Sequence, residues 1–311
     1  MKEAFCAKQL SLCKTTRDLQ QWGCLNCRLG VGSVSYQSQL KDVPRVLHQT
    51  NKQDHEKLKE INTAFLPDNF KREFHDDARC QAYIKSMLGS TALQHYHNLA
   101  MPAHRADFFR YVLLFYEGGV YLDIKSCFLK SLEKLLSSCG HCSLLSCIGA
   151  AGSHIHQGIL MCPAGHPLLH EAILKVMETP ASSLGPRSGA YMTFCQQMWD
   201  ILKREVGEIV AGENTTCTWG CVFLMRERKE KKGSRDVLGQ SIKIDGHVAY
   251  MEDGDAAVAI RCEGWNRGFN NLMPDMPQLE VFAQLSVSAV VNEQEMGVVE
   301  IEQGRNQREQ G

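Results

Sequence analysis

Asp107 and Arg110 lie three residues apart within the stretch HRADFFRYVLLFYEGGVYLDIK, residues 104–125, which is otherwise almost wholly apolar. Three residues is close to one helical turn, so a carboxylate and a guanidinium share one helix face. Such a pair can project into a cleft, the carboxylate accepting hydrogen bonds from hydroxyl groups and the guanidinium gripping an anion. It can equally be an internal ion pair that lets a charged stripe survive on a packed helix, and the residues alone leave both readings open. The same stretch ends on Asp123-Ile124-Lys125. Open α/β sheets bind ligands beyond the carboxyl ends of their strands, so an aspartate there has a functional meaning that a mid-strand carboxylate lacks.

The flanking pattern says which elements hold these groups. Phe108, Val112 and Phe115, with Phe109, Leu113 and Tyr116, recur at three and four residues and predict a helix buried on most of its circumference. Gly118-Gly119 supplies the left-handed stop of that helix, and VYLDI then reads as an internal strand. Upstream, VPRVLHQTNK predicts a first strand, Val43 to Leu47, followed by a polar loop from His48 to Lys52. A helix over about residues 54–64, a strand near FKREFHD and a helix from DARCQAYIKSML complete a βαβα opening, which predicts a parallel sheet. Asp76-Asp77 stands at the start of the last helix, where capping by Asp77 is expected. Downstream, CSLLSCIGA and QGILMCPAG predict two more core strands. HPLLHEAILKVMET predicts an amphipathic helix with Leu168, Leu169, Ala172, Ile173 and Val176 inward, and a further helix covers about residues 190–204. RERKEKKGSRD, residues 226–236, reads as a solvated loop or helix face.

Bulk properties limit the function classes. The 311 residues suit one α/β domain with extensions: a polar segment 1–40 of uncertain order, a core 41–285 and a polar tail 286–311. With 34 basic against 35 acidic residues the net charge is -1, which argues against a polyanion such as nucleic acid as partner. The 14 cysteines are scattered, several inside apolar runs, and read mostly as free thiols used as small core residues. The pairs Cys24/Cys27 and Cys139/Cys142 could form a thiolate zinc site, but their separation is unlike that of zinc modules. No stretch has the length of a signal peptide or membrane span, so the chain as written is expected to be soluble.

VPRVLHQTNK, FHDDARC, HRADFFRYVLLFYEGGVYLDIK, QGILMCPAGHPLL and LGPRSG together resemble, in order and rough spacing, the motifs of glycosyltransferase family 32. The resemblance implies a GT-A-type α/β fold, a mostly parallel sheet flanked by helices. It also implies transfer of a sugar, mannose-like hexoses included, from a nucleotide-diphosphate donor to a glycan, lipid or other hydroxyl acceptor with retention of configuration. Under it, Asp123, Asp107 and Arg110 are the catalytic candidates. His48, Gln49, Arg105, Asp107, Arg110, Lys125 and Gln157 are the donor-binding candidates. His48 and Gln49 match the place where the fold meets the nucleotide base, and Gln157-Gly158 stands where Asn-Gly is frequent. Gly185-Pro186 reads as a plain turn, and Arg261 and Trp265 only loosely resemble a carboxyl-terminal His and Trp.

Asp123 matches the first aspartate of an Asp-x-Asp that holds Mn²⁺ or Mg²⁺ on the diphosphate. The third position is Lys125, whose ammonium has no lone pair to offer a cation. Three roles are open to it: replacing part of the metal charge against the diphosphate, pairing with Asp123, or marking a chain without catalysis. A non-catalytic sugar-nucleotide or glycan-binding protein on the same fold is therefore the competing class. Family relatives in eukaryotes are commonly anchored in the Golgi, which sets a Golgi-lumen expectation for any anchored form.

Overall fold

The computed structural model describes residues 38–54, 56–63, 66–124, 126–128, 131–185, 190–230, 246–251 and 256–262. Lys125, Pro186, Trp265, Cys24, Cys27 and nearly all of segments 1–40 and 263–311 lie outside them.

Among the described residues one sheet of ten strands organises the fold: β1 (Val46–Thr50), β2 (Lys71–His75), β3 (Gly119–Leu122), β4 (Cys127–Phe128), β5 (Cys142–Ile148), β6 (Ile159–Cys162), β7 (Asn214–Cys217), β8 (Gly220–Glu230), β9 (Gly246–Tyr250) and β10 (Ala256–Cys262). Their spatial order is β2-β1-β3-β6-β5-β8-β9-β10-β4, with β7 paired to β8 outside that path. The helices are α1 (Glu56–Thr63), α2 (Asp77–Asn98), α3 (Pro102–Glu117), α4 (Leu132–Ser138), α5 (Pro167–Glu178) and α6 (Thr193–Val206).

Strands β1, β2, β3, β5 and β8 run in one direction, as an α/β fold of mostly parallel type requires. Within this mostly parallel sheet, β6 runs antiparallel between β3 and β5. The connection 149–158 explains this, being shorter than the dozen or more residues that a parallel crossover needs. Beyond β8 the sheet continues as antiparallel pairs through β9, β10 and β4. Residues 226–230 of the expected solvated segment are the end of β8, with Arg228 over the Tyr250 ring at 5.4 Å.

The first strand is displaced from Val43–Leu47 to Val46–Thr50. Pro44 has no N–H for the ladder, so pairing starts after it. His48 and Gln49 consequently sit inside a strand flanked by β2 and β3, 1% and 0% exposed, and not in a loop.

Helices cover both faces of the sheet. On one, α2, α3, α5 and α6 bury Phe108, Phe109, Val112, Leu113, Phe115, Leu169, Ile173 and Met198 against Tyr121 and Leu160. On the other, α4 packs Leu132, Leu135 and Leu136 onto Val120, Leu122, Met161 and Phe223. The predicted inward set of α5 is buried throughout. Gly89, at φ 84°, breaks α2 where the DARCQAYIKSML pattern ends. The cap of α2 is Asp76, whose carboxylate accepts the Arg79 N–H at 2.8 Å, correcting the assignment to Asp77. At the end of α3, Gly118 has φ 68°, and a Cβ there would lie 2.5 Å from the Ala164 nitrogen. Only glycine lets α3 turn into β3 at this point.

Candidate active site

Three of the predicted residues meet. Helix α3 presents Asp107 and Arg110 from one face, and β3 ends one residue before Asp123. A single nitrogen of Arg110, Nη2, lies 3.3 Å from Asp107 Oδ1 and 3.2 Å from Asp123 Oδ1. Arg110 Nε donates to the Ala106 carbonyl at 3.2 Å, and the guanidinium lies 4.4 Å from the centre of the Tyr121 ring. Tyr121 in turn donates its hydroxyl to Asp123 Oδ1 at 3.1 Å. Residues two apart in a strand face the same way, which is why Tyr121 and Asp123 meet.

Exposure separates the three. The Asp107 and Arg110 side chains are 9% and 6% exposed, whereas that of Asp123 is 37% exposed. The cluster is an ion group set into the protein and opened to solvent through Asp123. Burial pushes the Asp107 carboxyl up to about 7, against the pull of Arg110 and with the help of Asp123. Burial opposes the charge of Arg110, but Asp123, Tyr121 and Asp107 outweigh it and raise the guanidinium further. Burial also raises the Tyr121 phenol, so it remains a hydrogen-bond donor.

The loop before β6 forms the opposite wall. The Asp123 N–H donates to the Gly158 carbonyl at 2.8 Å. A Cβ at Gly158 would come within 2.5 Å of His156 Nε2 and 2.7 Å of Asp123 Oδ2, so imidazole and carboxylate face one another across this glycine. His156 Nε2 and both amide atoms of Gln157 are buried without hydrogen-bond partners. Buried polar atoms are almost always satisfied, and an orphaned imidazole nitrogen beside an open carboxylate is what a ligand would complete. Burial lowers the His156 imidazole, keeping it neutral with a lone pair available. From the third side, the short turn Ala190–Met192 and the start of α6 bring Tyr191 and Cys195 near the acidic pair, whose field raises both groups in addition to burial. His104 Nε2, in contact with the Ala190 and Tyr191 carbonyl oxygens at 2.9 and 3.3 Å, ties that turn to α3.

The remaining candidates are placed differently. His48 Nδ1 meets His75 Nε2 at 3.3 Å, and burial lowers both imidazoles to about 4. Gln49 accepts from Arg72 Nε at 2.7 Å and donates to the Leu122 carbonyl at 3.3 Å, while Arg72 forms two bonds to Asp54. Arg105 is half-buried and its charge acts on Tyr96 of α2. None of these three contacts joins the Asp107–Arg110–Asp123 group. Lys125 and the Gly185-Pro186 turn beyond Gly185 fall outside the described residues, as does the Arg261 side chain. Tyr121 was readable from its two-residue spacing to Asp123, whereas His156, Tyr191 and Cys195 reach the site only through loop and helix packing.

The resemblance to Asp-x-Asp enzymes implies a divalent cation, although Lys125 stands in place of the second aspartate. Asp123 Oδ2 and His156 Nε2 form a carboxylate–imidazole pair that fits one open coordination side, suited to an ion that keeps several waters and phosphate oxygens.

An aspartate at the tip of the third strand, backed by a buried Asp–Arg pair, stands where open α/β sheets bind their ligands. Residues 37–140 match the family described as a glycosyltransferase sugar-binding region containing a DXD motif. An initiation-specific alpha-1,6-mannosyltransferase of Schizosaccharomyces pombe is 32% identical over 99 residues, 30% of this chain and 25% of that protein. An uncharacterized glycosyltransferase of Acanthamoeba polyphaga mimivirus is 32% identical over 100 residues, 30% of this chain and 40% of that protein. The match thus spans well under half the length of either relative. Among solved structures, the PaToxG glycosyltransferase aligns with a TM-score of 0.40 at 11% identity, covering 60% of this chain and 78% of that one. No helix among the described residues is long and apolar enough to cross a membrane.

Proposed function

We propose that the protein transfers a hexose from a nucleotide-diphosphate sugar to a hydroxyl acceptor with retention of configuration. The observation carrying this reading is the half-open Asp123 carboxylate, fixed through one oxygen by Arg110 and Tyr121 and facing the unsatisfied His156 imidazole across Gly158.

In this reading Asp123 is the catalytic residue that meets the donor diphosphate or its cation. A cation held by Asp123 and His156 would supply positive charge to the leaving diphosphate. Arg110 is a positioning residue: buried behind Asp123, it holds one carboxylate oxygen and leaves the other aimed outward. Asp107 balances that guanidinium from the far side, a supporting role that its burial favours over direct contact with donor hydroxyls. Gln157 offers both a donor and an acceptor to sugar hydroxyls. Fixing the donor at the acceptor hydroxyl replaces a bimolecular encounter by one within the site. No general base is assigned, because in front-face transfer the departing phosphate oxygen takes the acceptor proton.

The experiment is donor hydrolysis over a panel of nucleotide sugars, with Mn²⁺ against chelator. Turnover that requires Mn²⁺ supports Asp123 with its cation; turnover that survives chelation assigns the phosphate charge to Lys125. The second reading, a binding protein without transfer, draws on the lysine in place of the second aspartate. Its mark is saturable donor binding with no product for any acceptor.

A further inference from the structure

At the opposite end of the sheet from Asp123, where β5 and β8 begin, a second group of ligand-type side chains converges. Cys142 and Cys221 are in-register partners on these parallel strands, with their sulfurs 2.8 Å apart. His141 Nε2 lies 3.5 Å from the Cys142 sulfur. Asn214 Oδ1, from β7, lies 3.3 Å from Cys142 Sγ and 3.4 Å from Cys221 Sγ. The imidazole nitrogen and both sulfurs all lie within 4.8 Å of one another.

Four ligands around Zn²⁺ at bonds of roughly 2.0–2.3 Å form a tetrahedron with edges of about 3.3–3.8 Å. The His141–Cys142 and both Asn214 contacts already have that length. The two sulfurs stand closer than neighbouring non-bonded sulfurs favour, and an ion between them would part them by roughly 0.9 Å. A disulfide would use only the sulfurs and leave the convergence of the imidazole and the amide oxygen without a purpose. Access exists as well: a cavity of about 380 Å³ lined by Asp42, Lys41, His141, Trp219 and Cys221 opens beside the group.

We propose that His141, Cys142 and Cys221, with Asn214 or a water as fourth ligand, form a zinc site. It is separate from the donor site and joins the starts of β5 and β8 to β7. Cys142 meets a thiol 79 residues downstream in this group, and Cys139, its partner in the sequence pair, is not among the three ligands. The site's role is to fasten the sheet where its order passes from the central strands to the antiparallel extension, and it does not depend on the transferase reading.

The test uses the whole chain, purified with a phosphine reductant and no chelator. Metal analysis should find close to one zinc per chain, and replacing it with Co²⁺ should give a thiolate-to-cobalt charge-transfer band. Cys221→Ser should abolish the band. The exposed His141→Ala should weaken Co²⁺ affinity on the order of a hundredfold with the circular dichroism unchanged, which keeps the test decisive if Cys221→Ser does not fold. Wild-type protein that takes up neither zinc nor cobalt overturns the proposal. So does peptide mapping that finds Cys142 joined to Cys221 with no metal taken up after reduction.

Discussion

At Asp123 the chain departs from the expected double carboxylate, and the surroundings supply a different neighbour. The carboxylate is held on one side by Arg110 and Tyr121, and on the other it faces a neutral imidazole across a glycine that has no room for a methyl group. Gly158→Ala should therefore push His156 or Asp123 aside and raise the donor KM at least severalfold, while the melting temperature falls by only a few degrees. Steady-state kinetics beside a thermal melt checks this, and unchanged kinetics would separate Gly158 from the site. Asp107 carries a pH prediction of its own. Its folded-state pKa is raised to about 7 from an unfolded value near 3.8, so the native state binds the extra proton between these values. The stability this proton contributes is full below about pH 4 and is lost as pH rises through about 7. Urea midpoints of the ligand-free protein should decline from pH 5 to pH 8, and Asp107→Asn should flatten that decline.

At the scale of elements, α3 and β3 are rigid because the turn between them admits one residue type. Gly118 combines a positive φ with backbone atoms where a Cβ would go, so Gly118→Ala should destabilise the protein by about 2–3 kcal/mol. Denaturant melts measure this, and a loss below about 0.5 kcal/mol would contradict the close approach of Ala164. Phe109, fully buried between α3 and the rings of His75 and Tyr83, should cost about 3–5 kcal/mol when cut to Ala. These elements were legible in the sequence since the 3.6-residue repeat of α3, the Gly-Gly stop and the apolar VYL run are local signals. The start of β1 was not. An apolar VPRVL looks like a strand until the missing N–H of Pro44 moves pairing onto His48 and Gln49, and these polar residues are then covered by neighbouring strands that no local window contains.

At the scale of the molecule, the α/β class followed from alternating periods, but the antiparallel β6 and the β8–β9–β10–β4 extension depend on which strands meet across long separations. The same distance effect governs the sites. Asp107, Arg110 and Asp123 lie within one continuous stretch and could be read together, whereas His156 joins them through a loop, and Cys142 and Cys221 meet through strand pairing. The proposed donor site thus lies at the carboxyl ends of the parallel strands and the thiol–imidazole group at their beginnings. The most direct test of the central claim is donor hydrolysis by wild type and Asp123→Asn at equal concentration with Mn²⁺. Loss of about 10²–10³-fold in rate by a variant that melts within a few degrees of wild type is the expected result. An Asp123→Asn protein that turns over donor at the wild-type rate would contradict the account.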